Sequence, residues 1–411
     1  MERTQAPLFR RDFTLVVIGQ VISLFGNAIL RFALPLYLLR QTGSPALFGA
    51  VGAAAFIPAV LCAPLGGVVA DRVNKRHVMV LLDFSTAGLI LAFSLFLGRV
   101  PLTPLMIVCL MLLYGIAGAY QPAVQASIPL LAAPEQLTSA NAVINMVGTL
   151  SGLLGPVIGG VLFGAFGIRP ILWVGIVCFF LSAVMELFIR IPHRPRAAEG
   201  GVLSTVRRDL AESWRFIRRE RPVFLSVMLV LALFNLALSA ALVVGIPVAV
   251  VQVLGMSDRH LGLTQGAMGL GGLFGGVLTA LLGGRLPLRR GHLVLLAASL
   301  TAAGMGAALL LPPVPGWWGV TAMSFAVMVL STLLVVVLSA AVQGQTPPEL
   351  LGKVMAFIMA VSNCASPLGQ AVYGALFERC PAWAVLLGAA GAAALTAAGS
   401  RRVFRALDGA R

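Results

Sequence analysis

Twelve apolar stretches, each long enough to cross a bilayer as a helix, recur along this 411-residue chain and leave little of it for anything else. They run at 13–39, 44–70, 77–98, 102–131, 138–166, 169–191, 222–253, 260–283, 290–311, 315–345, 350–378 and 382–404. A hydrocarbon core roughly 30 Å thick needs about 20 residues of helix to span it, and backbone polar groups inside it must be satisfied within the segment. At 59% hydrophobic and 10% charged residues the chain is too apolar for a water-soluble fold, so lipid is its solvent. The expected fold class is all-α integral membrane with twelve transmembrane helices. Met1 to Phe13 is polar and no small-residue cleavage site follows the first span, which is therefore expected to remain in place.

A formal charge of +15 would suit nucleic acid, but the positions of the charges argue for a membrane. Twenty-three Lys and Arg fall at the amino terminus, the carboxyl terminus and the loops on one side of the spans, the crowded stretch being Arg190 to Arg221. Five, Arg40, Arg99, Arg169, Arg259 and Arg379, fall on the other, and Arg31 lies inside the first span. The positive-inside rule makes the crowded side cytoplasmic, with both termini inside. Trp173, Trp317, Trp318 and Trp383 stand at outer span ends, where an amphipathic indole prefers the headgroup layer. In the connection at 192–221, Leu203, Val206, Leu210, Trp214 and Ile217 repeat at helical spacing against Arg207, Arg208, Arg215 and Arg218. That pattern reads as a basic amphipathic helix on the inner leaflet, with a calmodulin-like partner site as the alternative. Cys62, Cys109, Cys178, Cys364 and Cys380 are scattered without metal-ligand spacing and read as small core residues; no metal or cofactor is expected.

The connection divides the chain into 1–191, 192–221 and 222–411, with six spans on either side. The halves echo each other in the same orientation. Gly66 to His77 after the second span is matched by Gly283 to His292 after the eighth, and Pro134-Glu135-Gln136-Leu137 after the fourth by Pro348-Glu349-Leu350-Leu351 after the tenth. A parallel repeat predicts two six-helix bundles related by an axis along the membrane normal, with a central cavity.

The stretch Gly67-Val68-Val69-Ala70-Asp71-Arg72-Val73-Asn74-Lys75-Arg76 closely resembles the signature loop between helices 2 and 3 of the major facilitator superfamily. The resemblance implies that family's fold of two pseudo-symmetric bundles, alternating access, and a gating loop in which Gly67, Asp71, Arg72, Lys75 and Arg76 hold the outward-open state through ion pairs. Asn74 stands where the family usually has Gly, a departure expected to reduce loop flexibility. Gly152, Gly155, Pro156, Gly159 and Gly160 are similar to the helix 5 motif of antiporters and exporters within the family, with Ser151 in place of a further Gly; an ordinary packed, kinked helix is the competing account. Helix 11 carries a weaker echo, Ser366-Pro367-Leu368-Gly369. The opening Gly19-Gln20-Val21-Ile22-Ser23-Leu24-Phe25-Gly26-Asn27 and the segment Gln343 to Met355 look like the branch of macrolide efflux pumps and siderophore exporters. Many members of that branch carry Asp where this chain has Asn27, which bears on proton coupling through helix 1.

Ionisable groups within spans are costly and therefore functional candidates. Arg31 either meets an anionic substrate group or snorkels to the outer interface. Asp83, two turns into the third span, is the candidate coupling residue, against the expectation that it pairs with the nearby basic loop. Glu186 and Glu378 are expected at the interface, and none of His77, His193, His260 and His292 reads as a proton relay. Asn27, Gln121, Gln125, Asn145, Asn235, Gln265, Asn363 and Gln370 are candidate cavity residues, each of which interhelical hydrogen bonding also explains. With Tyr114, Tyr120, Phe25, Phe234 and Met359 they describe a wide apolar cavity suited to amphiphiles rather than sugars.

An intramembrane enzyme would need a His-Glu-x-x-His, a Gly-x-Ser-x-Gly or paired intramembrane carboxylates, and a phosphate loop would need a Gly-Lys-Ser/Thr that neither Lys75 nor Lys353 provides. The chain thus reads as a transporter and not an enzyme: a monomeric exporter of amphiphilic small molecules such as macrolide-like drugs, coupled to proton entry. A lysophospholipid flippase of the same fold is the second reading, a nutrient importer the third, and a channel the last. Scarce Lys beside abundant Arg, Ala and Gly points to a high-GC bacterial genome, and hence to an inner (plasma) membrane location.

Overall fold

The computed structural model describes residues 9–192, 202–282 and 288–409, and side chains for these except at 71, 202–206 and 409. It is built of long helices, with no strand among the described residues. Six run through the first half: α1 (Arg11–Thr42), α2 (Pro45–Arg72), α3 (Lys75–Phe96), α4 (Leu102–Leu131), α5 (Leu137–Phe166) and α6 (Ile168–Leu187). A shorter helix, α7 (Val202–Arg219), follows. Six more complete the chain: α8 (Val223–Val253), α9 (Asp258–Leu282), α10 (Gly291–Ala308), α11 (Pro313–Gly344), α12 (Pro348–Arg379) and α13 (Ala382–Gly409). All but α7 are long and apolar enough to cross a membrane.

Breaks fall where backbone chemistry demands them. Pro313 and Pro348 occupy first-turn positions, where a missing N–H costs nothing. Gly167 separates α5 from α6 with a φ of 73°, a left-handed conformation that glycine adopts without penalty. The outer faces are apolar, Leu395 being 76% and Leu281 75% exposed, as befits helices solvated by lipid.

The chain forms two compact units. One holds described residues up to Gln41 and from Ala54 to Val202; the other holds Thr42–Ala53 and Leu203 onward. Each is assembled by the same three contacts. In the first, α2 crosses α4 so closely that a Cβ at Gly66 would overlap Ala119, α5 approaches α1 with Gly155 against Ala28, and α3 lies along α6. In the second, α9 crosses α11 with Gly271 and Gly275 against the carbonyls of Phe325 and Val329, α12 approaches α8 with Gly369 against Ala240, and α10 lies along α13. Small residues are what allow these backbones to meet in lipid, where apolar burial supplies no driving force between helices.

Candidate functional site

Helix α1 is apolar almost throughout, yet Gln20, Ser23, Asn27 and Arg31 recur at three- and four-residue spacing and so share one face. Opposite this stripe α4 brings Tyr114, Tyr120, Gln121 and Gln125, and α3 brings Asp83. Between them lies a cavity of about 430 Å³ in the first unit, closed also by Phe56 and Phe179. Of the candidates read from the sequence, Asn27, Arg31, Asp83, Gln121 and Gln125 meet here. Ser23 and Arg31 are about 12 Å apart along the helix axis, so the cavity carries an acidic group at one level and a cation more than two turns away.

Arg31 does not snorkel. Its guanidinium carbon sits 3.8 Å from the centre of the Tyr114 ring, and its Nε is buried without a hydrogen-bond partner. Asp83 is 2% exposed, and its Oδ1 accepts a hydrogen bond from Ser23 Oγ at 3.2 Å. It is not paired with the basic loop, because its position on α3 turns it toward α1 rather than along its own helix to the preceding turn. Glu186, expected at the interface, is 1% exposed: Tyr120 donates to its Oε1 at 2.6 Å, and Gln20 Nε2 donates to the Tyr120 hydroxyl, also at 2.6 Å. The paired intramembrane carboxyls that sequence reading did not find are therefore present, on α3 and α6. The signal was the polar stripe of α1, in which Gln20 and Ser23 are the rungs facing them.

A second cavity, of about 450 Å³, lies within the second unit, lined by Phe234, Asn235, Met268, Met328, Ser331 and Thr332 among others. Asn235 opens a π turn, Asn235–Ser239, and its Nδ2 donates to the Ser362 carbonyl at 3.1 Å. A π turn inserted in an α-helix re-aims the side chains beyond it, and such turns are frequent at functional sites. Asn145 and Asn363 are exposed, Gln265 and Gln370 half-buried, and none of the four lines either cavity. Glu378 is exposed and accepts from Ser44 Oγ at 2.5 Å and from the Ala46 N–H at 2.9 Å.

In the loop between α2 and α3 the Asp71 side chain lies outside the described residues. Gly67 faces Pro122, Arg72 is exposed and Lys75 half-buried, and Arg76 Nη1 donates to the Ile189 carbonyl at 3.4 Å beyond the end of α6. Asn74 caps α3, its side chain accepting from the Arg76 N–H at 3.0 Å, so the asparagine contributes a helix cap where stiffening of the loop was expected. In α5, Gly155 and Gly159 meet Ala28 and Phe32 of α1, whereas Gly152 has open space before it; Pro156 lies within the helix and Gly160 is buried. Trp317 has protein partners that its position alone did not reveal. It stands near the start of its span as expected but faces protein, its Nε1 donating to Thr264 Oγ1 at 3.0 Å and its ring edge-on to His260 at 4.7 Å. Nor are all the cysteines in the core: Cys109 is buried, Cys62 and Cys178 half-buried, and Cys364 and Cys380 exposed, since an apolar span also has a lipid-facing side.

Comparison with known proteins follows the same lines. The sequence model of the Major Facilitator Superfamily matches residues 16–370. Macrolide efflux protein A of Streptococcus pyogenes is 25% identical over 378 residues, covering 90% of each chain. The multidrug efflux pump Tap of Mycobacterium bovis is 22% identical over 389 residues, covering 89% of this chain and 86% of its own. Among solved structures, the POT family transporter PepTSo superposes with a TM-score of 0.75 at 13% identity, over 98% of this chain and 99% of its own. The nucleoside transporter NupG superposes with a TM-score of 0.72 at 15% identity, over 96% of this chain and 98% of its own.

Proposed function

This chain belongs to the major facilitator superfamily, a family of multi-pass membrane transporters and not of enzymes, and from that premise we propose that it exports amphiphilic small molecules by alternating access. The observation that carries the reading is the wall of the first-unit cavity. Aliphatic and aromatic groups dominate it, while Asn27, Arg31, Gln121 and Gln125 supply a few hydrogen-bonding points. Such a wall binds molecules with a large apolar body and scattered polar groups. A sugar site would need amides and charges along every side of the ligand. The likeness to macrolide and multidrug efflux proteins supports export. Proton entry is the proposed energy source, a bacterial inner membrane with both termini cytoplasmic the proposed setting, and a monomer the proposed state.

Thermal stabilisation of the detergent-purified chain by erythromycin, other amphiphilic drugs, siderophores and lysolipids tests the substrate class. Stabilisation by the drugs, weakened by Arg31→Met or Gln121→Leu, is the expected result. Stabilisation by lysolipids alone would replace drug export with lipid movement, and flux through proteoliposomes that is indifferent to a pH gradient would remove proton coupling.

A further inference from the structure

The seam where α1, α3, α4 and α6 meet holds two carboxyl groups and, among the described residues, no cation paired with either. Asp83 receives Ser23 Oγ on one oxygen, with Ser182 of α6 facing it. Glu186 receives the Tyr120 hydroxyl, which in turn receives Gln20 Nε2. Asp83 and Glu186 lie close enough to interact electrostatically. The hydroxyl donors are spent, Ser23 and Tyr120 as described and Ser182 Oγ on the Gly19 carbonyl at 3.1 Å, and Gln20 Nε2 gives one N–H to Tyr120. Three acceptors remain buried and unpartnered, namely Asp83 Oδ2, Glu186 Oε2 and Gln20 Oε1.

Among the described residues, the charged or titratable groups facing the seam beside the two carboxyls are these. From α1 there is Arg31, held over the Tyr114 ring; from α4, Tyr114 and Tyr120; from α6, Cys178 beside Gly26. No ion pair to either carboxyl occurs among the described residues, whose ion pairs include those of Lys353 with Asp209 and Glu212. Two negative charges buried together without a cation are costly, and orphaned acceptors beside them add to the cost. One proton eases both deficits, since it removes one of the two charges and turns one of the three unpartnered acceptors into a donor.

We propose that Asp83 and Glu186, joined through Tyr120, Gln20 and Ser23, form a proton-binding site that shares the wall of the first-unit cavity. This rests on the transport reading and specifies where its proton is carried. Asp83 and Tyr120 line the cavity, and Glu186 stands behind Tyr120. A proton from the cavity water converts one carboxylate to a carboxyl group; when it returns to water the seam regains the charge and loses the donor. Because the partners Gln20 and Ser23 lie on α1, each change alters how α1 is fastened to α3, α4 and α6. Substrate and proton then meet the same face of one helix, so that a change in how α1 is held by one alters the contacts open to the other.

Infrared difference spectra of the purified full-length chain, recorded against pH in H2O and D2O, test the site without any substrate. The expected result is a carboxyl C=O band that rises as pH falls, shifts in D2O, and is lost or displaced in Glu186→Gln and Asp83→Asn. Tyr120→Phe, which removes the hydrogen bond to Glu186, should displace the band and serves if the carboxyl variants do not fold. Absence of such a band at every pH, or a band unmoved in folded variants, overturns the proposal. Erythromycin flux in proteoliposomes separates this inference from the one beneath it. Gradient-driven flux in the native chain that becomes about tenfold less responsive to the pH gradient in Glu186→Gln supports the site. Gradient-driven flux unchanged in that variant, or driven by sodium in place of protons, overturns the site and leaves export standing. No flux of erythromycin or the other amphiphiles overturns the export reading, and the infrared band still decides the proton site.

Discussion

Asn74 shows how one residue can be read twice. As a departure from glycine in the signature loop it reads as lost flexibility; as the residue before α3 it accepts the Arg76 N–H and satisfies a helix-end donor. Asn74→Ala should therefore lower stability by about 1 kcal/mol, and Asn74→Gly by only a few tenths, measured as the melting temperature of the purified protein. Equal melting in all three would remove the cap from the account. The neighbouring Asp71 carries the proposed gating role, so Asp71→Asn should reduce transport while leaving membrane insertion unchanged, judged by flux normalised to surface expression. Normal flux would retire the latch. Chemistry at this scale was partly legible. Asn27, Arg31 and Asp83 stood out as polar groups in apolar spans, whereas Glu186 was misplaced because a carboxylate near a span end looks the same whether it faces headgroups or a tyrosine hydroxyl 66 positions away in sequence.

Helices were legible as existing and not as facing. A span apolar on every side carries no amphipathic phase, so the side of α5 or α12 that looks inward cannot be read from its pattern. That is why Asn145 and Asn363 were gathered with residues they do not join, and why the π turn at Asn235–Ser239 went unseen. Glycines resolve part of the ambiguity once the structure shows what each one meets. Gly155 and Gly152 belong to one motif, yet the first is pressed on Ala28 and the second on nothing. Gly155→Ala should push α5 from α1 and cost about 1–3 kcal/mol by overpacking, while Gly152→Ala is neutral or stabilising. Paired thermal melts check this, and equal losses would mean that the motif acts by some route other than close approach. Gly369→Ala, against Ala240 in the second unit, is expected to behave as Gly155→Ala does.

At the scale of the whole chain, the repeated order of spans and loops was readable because both halves obey the same charge and length constraints, and the repeated pairing of α2 with α4 and α9 with α11 follows from small residues at matching places. How α7 is held was not readable, since its partner lies far along the chain. The amphipathic stripe suggested a helix resting on lipid, but Ser213, Phe216 and Ile217 are buried, Trp214 lies 6.2 Å from Phe357, and Leu210 and Trp214 keep an exposed side. Lys353, in the first turns of α12, reaches Asp209 at 2.8 Å and Glu212 at 2.7 Å. Two carboxylates on successive turns of α7 thus hold one ammonium, and reversal of its charge turns both attractions into repulsions. Lys353→Glu should accordingly speed hydrogen exchange across 207–219, measured by mass spectrometry, and raised salt should do so more weakly in the native protein, because exposed pairs are screened while apolar contacts are not. Protection that survives both changes would assign the docking of α7 to Phe216 and Ile217 alone.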